Sequence, residues 1–302
     1  MRHRIGFGSY SERLAFYLQI NPVVNILFGR WFCYTINRQS VAGRVSRWLL
    51  DHGVAYGALR CMSPEVRTKF TTKVLGLTAR EDAKASGTVS DIVNSIHEQG
   101  FLKIAGLISL KTVQNAKDYF GSRVHYNAQI YAQSNGAPIK KDWRSYETYS
   151  HDRYICFHRD DSLRFLTSES GIDLEFLKRI ADAYCGFDTH LYGVNTMCTF
   201  PGEGIGYAMR LHRDYDDFSF LTFFISWTKT AENDGATLYV PRSHKFSDAV
   251  LKTVALSAEP GDLVAVDTFG IHAGNAEVKQ ARLATWIRFG HKINLATIQD
   301  GC

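Results

Sequence analysis

The chain has 302 residues, 45% of them apolar and 22% charged, which is ordinary for a globular protein with room for one large domain and an extension, or for two small domains. Six scattered cysteines with no C-x-x-C pair argue against a disulfide framework or a structural zinc site and fit a reducing cytosol. The net charge of +5 is concentrated at one end: residues 1–50 carry seven arginines (Arg2, Arg4, Arg13, Arg30, Arg38, Arg44 and Arg47) against Glu12 alone, which points to an acidic partner, either anionic lipid or nucleic acid.

Residues 1–85 read as a basic, helical extension. Its first ten residues are basic but lead into no clean apolar run with a small-residue cleavage site, so no signal peptide is read. The most apolar stretch, 14–36, is broken by Asn21-Pro22, Asn25 and Arg30, and a span needs roughly 20 consecutive apolar residues. Val41, Val45, Trp48 and Leu49 fall on one helical stripe, with Arg44 and Arg47 off it. Such a helix packs on the main domain or lies on an acidic surface.

A polar stretch, 78–88, marks the boundary to a second unit, 86–302. Thr88 and Asp91 form a capping pair for a helix through Ile92, Val93 and Ile96 that Gly100 ends. A short strand follows at 101–104, and Ser109 caps a helix through Val113, Ala116 and Tyr119. Residues 122–160 read as long loops with short strands, and Lys140, Lys141, Arg144, Arg153 and Arg159 there face solvent or an acidic substrate. A helix covers 173–183, with Leu174, Leu177 and Ile180 on one face. Strands are expected at 189–200, 218–228, 236–241, 262–267 and 282–290, separated by Gly/Pro turns. So many short strands at close spacing suggest a closed or double-sheet β core.

The chemistry centres on His212-Arg213-Asp214. On extended chain, residues i and i+2 point the same way, so an imidazole and a carboxylate meet one metal from one side. With a second histidine from elsewhere they form the open-faced donor set suited to non-heme iron(II). The pattern is short and recurs here as His158-Arg159-Asp160. Context favours the copy at 212, which opens the strand-rich half, whereas the copy at 158 precedes a helix.

Downstream follow Asp234-Gly235-Ala236-Thr237-Leu238-Tyr239-Val240-Pro241-Arg242-Ser243-His244-Lys245, then Pro260-Gly261-Asp262, then His272, then Arg282. With the opening Ile96 to Leu107, this ordered set resembles the phytanoyl-CoA dioxygenase family of iron(II)- and 2-oxoglutarate-dependent oxygenases over residues of about 90–290. The resemblance implies a mainly β, α+β fold, a double-stranded β-helix (jelly roll, cupin-like) behind an N-terminal helical extension. It implies His212, Asp214 and His272 as iron ligands and Arg282 as the partner of the distal carboxylate of 2-oxoglutarate, a task that suits a guanidinium fork. It places Trp227 at the co-substrate pocket, or else in the core, and Asn195, Met197 and Thr199 on a strand able to reach 2-oxoglutarate. His244 falls in a structural turn. The implied activity is hydroxylation of an unactivated C–H bond by dioxygen, coupled to decarboxylation of 2-oxoglutarate; Asp214 favours this over halogenation.

No motif encodes the substrate. The arginine-rich, aromatic segment 1–50 points to peripheral contact with an anionic membrane from the cytoplasmic side and to an anionic, lipid-linked substrate, such as a Kdo sugar of a lipopolysaccharide core. The alternatives are a hydroxylase of a small metabolite or acyl-CoA, and a non-catalytic β-domain that binds a ligand. Nucleic acid is the least favoured partner, because the basic segment is also rich in Trp, Phe and Leu.

Overall fold

The computed structural model describes residues 63–77, 87–123, 125–127, 154–201, 209–214, 217–245 and 252–291. The amphipathic stripe 41–49, the rest of the arginine-rich segment, and Lys140, Lys141, Arg144 and Arg153 lie outside the described residues.

Helix α1 (Pro64–Leu75) begins at Ser63, whose hydroxyl accepts the Val66 amide, with Pro64 in the first turn, where its missing N–H costs nothing. Helix α2 (Thr88–Gln99) does not start on the expected Thr88/Asp91 pair: Gly87, at φ 63°, is the N-cap, no side chain caps the helix, and Thr88 is already its first residue. Its apolar face, Ile92, Val93 and Ile96, is buried, each side chain contributing about 1.5–3 kcal/mol by leaving water. Gly100 ends α2 at φ 91°, and a Cβ there would lie 2.2 Å from the Tyr239 hydroxyl, so both conformation and space require glycine. Helix α3 (Leu110–Gly121) is capped by Ser109 as expected. Helix α4 (Arg159–Arg164) runs into a π turn (Phe165–Glu169), and α5 (Leu174–Cys185) is capped by Asp173, whose carboxylate accepts the Phe176 amide at 2.8 Å.

The strands are β1 (Phe101–Ile104), β2 (His125–Asn127), β3 (Tyr154–Phe157), β4 (His190–Thr199), β5 (Phe220–Ser226), β6 (Thr237–Tyr239), β7 (Val254–Leu256), β8 (Leu263–Val266), β9 (His272–Ala273) and β10 (Arg282–Gly290). They form a seven-stranded sheet, ordered β1-β8-β5-β10-β4-β3-β2, and a three-stranded sheet, β7-β6-β9. Every pairing between these strands is antiparallel among the described residues. The result is an α+β protein with two antiparallel sheets as its core, matching the expected jelly-roll class.

Period-two alternation gives the large sheet two faces. Leu283, Ile287 and Phe289 of β10 pack with Ile96 of α2 and with Leu177 and Ile180 of α5 in one apolar core, so helices cover the outer face. The inner face carries the opposite set. The register aligns Tyr154, Thr199 and Arg282 in one row, Cys156, Met197, Ala284 and Ser226 in the next, then Asn195, Trp286 and Phe224, then Gly193, Arg288 and Thr222. The small sheet packs on this face through Tyr239, which meets Phe101 edge-on at 5.4 Å and joins Val264 and Val266 in a second core. Among the described residues, no helix is long and apolar enough to cross a membrane.

Candidate metal centre

His212 pairs with His272 as an extra rung on the small sheet: each residue's amide donates to the other's carbonyl at 2.9 Å. Two residues on, the Asp214 amide donates to the Thr268 carbonyl at 2.8 Å. The backbone thus clamps the 212–214 segment to the loop that leads into β9, and His212, Asp214 and His272 converge, with one donor atom from each within 4.8 Å of the others. Both imidazoles are oriented from behind. Nδ1 of His212 lies 2.7 Å from the Arg210 carbonyl and Nδ1 of His272 lies 3.0 Å from the Gly270 carbonyl. Each Nδ1 is thus placed to donate, and each Nε2 faces Asp214, 3.6 Å from Oδ1 for His212 and 3.5 Å from Oδ2 for His272, where a proton on it bonds the carboxylate and its loss frees a lone pair.

The electrostatics differ among the three groups. Burial pushes the Asp214 carboxyl up, but the Arg288 guanidinium, the hydrogen bond with His272 and the two imidazoles outweigh it and hold the group well below the usual carboxylate range. His212 is lowered by burial and by the facing His272. Burial also disfavours the His272 cation, but its hydrogen bond and charge interaction with Asp214 win, and its pKa is raised.

Arg213, between the two ligand candidates, points backwards. Its guanidinium donates to the Ser243 carbonyl at 2.7 Å and to the Phe269 carbonyl, tying the segment to the Pro-x-Ser-His turn and to the loop before His272. In that turn the Ser243 hydroxyl accepts the Ile271 amide at 2.7 Å, and buried His244 holds the His97 carbonyl at 3.0 Å. Arg67 of α1 reaches the same loop. It pairs with Asp267, donates to the His244 carbonyl at 3.1 Å and lies over the Phe269 ring. Tyr184 also donates to Asp267, at 2.5 Å.

Arg282 extends along the inner face towards the small sheet, where its Nη2 donates weakly to the Thr237 hydroxyl at 3.3 Å. Gly235, at φ 71°, lets the chain pass close: a Cβ there would sit 3.3 Å from the Arg282 Cδ. Buried Nε of Arg282 has no hydrogen-bond partner, and among the described residues no carboxylate pairs with the guanidinium. Burial pulls its pKa below the ordinary arginine value. Thr237 stands two residues, about 7 Å, along β6 from Tyr239, the register partner of His272. Arg282 thus meets the small sheet two strand positions from the row that carries His272.

Of the other expected co-substrate residues, Thr199 and Asn195 share the inner face with Arg282, Thr199 directly opposite it. Trp227 does not. It follows Ser226, so alternation turns it to the outer face, where it is fully buried against Phe165 with its indole N–H on the Thr285 hydroxyl at 2.8 Å. Among the described residues, Trp286 is the tryptophan of the inner face. The second His-x-Asp copy caps a helix: Nδ1 of His158 accepts the Asp160 amide, and no other ligand type joins it among the described residues. Arg159 donates to the Tyr192 carbonyl at 2.8 Å and so has a structural task. Sequence reasoning passed over Arg288, Trp286 and Gly193, yet alternation along 282–290 was enough to place Trp286 and Arg288 on the face of Arg282.

No family model matches the chain, and no curated protein matches it. Among solved structures it is similar to the non-heme alpha-ketoglutarate-dependent epimerase SnoN from nogalamycin biosynthesis, at 14% identity over 67% of this chain and 82% of that one, with a TM-score of 0.48. It is also similar to the carbocyclase SnoK of the same biosynthesis, at 16% identity over 72% and 87% of the two chains, TM-score 0.45. A third is HygX from Streptomyces hygroscopicus with nickel, 2-oxoglutarate and hygromycin B bound, at 12% identity over 67% and 87%, TM-score 0.42.

Proposed function

We propose that this chain is a non-heme iron(II)- and 2-oxoglutarate-dependent oxygenase, with His212, Asp214 and His272 as the metal ligands and Arg282 as the anchor of the co-substrate. The observation that carries the reading is the convergence of two back-bonded imidazoles and one ionised carboxylate on one side of a common point. Three protein donors on one face leave positions for a chelating co-substrate and for dioxygen, and imidazole with carboxylate suits iron(II). Bound there, iron with 2-oxoglutarate would supply the oxidising power to hydroxylate an unactivated C–H bond.

The chain's own part is positional. Arg210 and Gly270 carbonyls fix the imidazole tautomers. Arg282, half-buried and with no carboxylate partner among the described residues, binds the distal carboxylate, with Thr237 and Thr199 beside it. The inner sheet face, with Met197, Trp286 and Phe224, keeps bulk water from the reacting atoms. In the iron-loaded protein under argon, 2-oxoglutarate binds one per chain. Arg282→Met weakens that binding about 10–1,000-fold, the worth of a charged hydrogen-bonded pair, and leaves iron affinity unchanged. Iron-loaded wild type that ignores 2-oxoglutarate contradicts the reading.

For the substrate, the arginine-rich segment 1–50 supports an anionic, lipid-linked molecule met at a membrane surface, such as a lipopolysaccharide-core sugar. The protein then sediments with anionic vesicles, less so at high salt, and loses this when residues 1–50 are removed. Equal sedimentation of the shortened chain leaves the small-metabolite hydroxylase.

A further inference from the structure

Arg288 lies on the inner face of β10 beside the metal centre, six residues beyond Arg282. Its Nη2 donates to Oδ2 of Asp214 at 2.5 Å. Three separate features put it there. The β10–β4 register breaks between Arg288 and Phe289, and such an irregularity re-aims the side chains beside it. The Arg288 guanidinium lies over the Trp286 ring, 4.5 Å from its centroid, and the indole holds the long side chain flat. Across the pair stands Gly193: a Cβ there would lie 3.1 Å from Trp286 Cζ3 and 3.3 Å from Arg288 Cβ, so the missing side chain leaves room for the stack. A solvated surface arginine needs none of these.

We propose that Arg288 is a positioning residue for the metal centre: by occupying Oδ2 of Asp214 it presents that carboxylate to the metal through Oδ1 alone. The inference rests on the metal reading above. A carboxylate free to turn binds a metal through both oxygens and takes two positions; one oxygen held by a guanidinium leaves a third position open for co-substrate and oxygen. By charge alone, a guanidinium next to a cation site weakens the metal. As a positioning group it strengthens it, by the 10–100-fold typical of the groups that orient ligands. The two roles therefore have opposite signs.

The test uses cobalt(II) as the only added ligand of the full chain, with affinity from calorimetry and geometry from the visible d–d spectrum. Arg288→Gln, Arg288→Lys and Gly193→Ala are compared with wild type, each checked for an unchanged circular dichroism spectrum. The expected result is affinity about 10–100-fold lower in Arg288→Gln with an altered d–d spectrum, partial recovery in Arg288→Lys, and a smaller shift of the same sign in Gly193→Ala. Unchanged or tighter cobalt binding with the wild-type spectrum in Arg288→Gln overturns the positioning role while leaving the metal centre intact. If Arg288→Gln does not fold, wild-type affinity and spectrum in both Arg288→Lys and Gly193→Ala overturn it instead. Wild type that fails to bind cobalt overturns the metal reading, and this inference with it.

Discussion

The His212 and His272 rings lie 4.3 Å apart between centroids, tilted by 49°, yet the protein treats them differently. His212 is pushed towards neutrality, by burial first and by its neighbour second, whereas Asp214 draws a proton onto His272. A metal must displace that proton, because a ligating imidazole needs its lone pair. The sign follows. Above the raised pKa of His272, metal affinity is flat; below it, the proton competes and affinity falls about tenfold per pH unit. Asp214, held ionised, and His212, already neutral, add no proton in that window. Iron(II) affinity measured anaerobically against pH is therefore expected to follow a slope of one, and a slope of zero or two would contradict this division of labour. Period-two reasoning could pair His212 with Asp214, but not foresee that a carbonyl fixes each imidazole, since Arg210 and Gly270 enter as backbone groups with no residue-type signature.

The sequence assigns helix α1 to the basic extension 1–85 and marks no docking face on it, because Val66, Arg67, Phe70 and Thr71 give no strong amphipathic stripe. The structure brings Arg67 to the loop that leads into β9, 2% exposed and paired with fully buried Asp267. Removing one partner of a buried pair leaves the other charge stranded, so Arg67→Met is expected to cost about 3–5 kcal/mol by denaturant unfolding. A loss below about 1 kcal/mol, that of a solvated pair, would show that α1 does not hold the loop. Other elements were legible because their signals were local: Ser109 and Asp173 cap their helices, Gly100 closes α2, and β10 spans the residues its alternation indicated. The start of α2 was not, because Gly87 in a left-handed turn took the place of the Thr88/Asp91 pair. Trp227 takes the core, the second of its two readings, and the choice between them was not legible for a related reason. One residue past the end of β5, its facing depends on register with Leu283, whose carbonyl accepts its amide at 3.1 Å, and register is a tertiary fact.

At the scale of the whole molecule, the two sheets explain how residues up to 200 positions apart act together. The large sheet supplies Arg282 and Arg288 on one strand face, the small sheet supplies His272 and the rung at His212, and the helices hold the outside. The β-rich core was legible from closely spaced short strands, whereas the split into seven and three strands depends on long-range pairings such as β1 with β8 that no local window contains. The central claim is that the His-x-Asp copy at 212, and not the one at 158, binds iron and 2-oxoglutarate. Its most direct test is an anaerobic titration of the protein with iron(II) and 2-oxoglutarate, following the visible charge-transfer band of the chelate, with His212→Ala and His158→Ala in parallel. The account predicts a band in wild type and His158→Ala that is lost in His212→Ala; no band in folded, iron-saturated wild type, or a band that survives in His212→Ala, would contradict it.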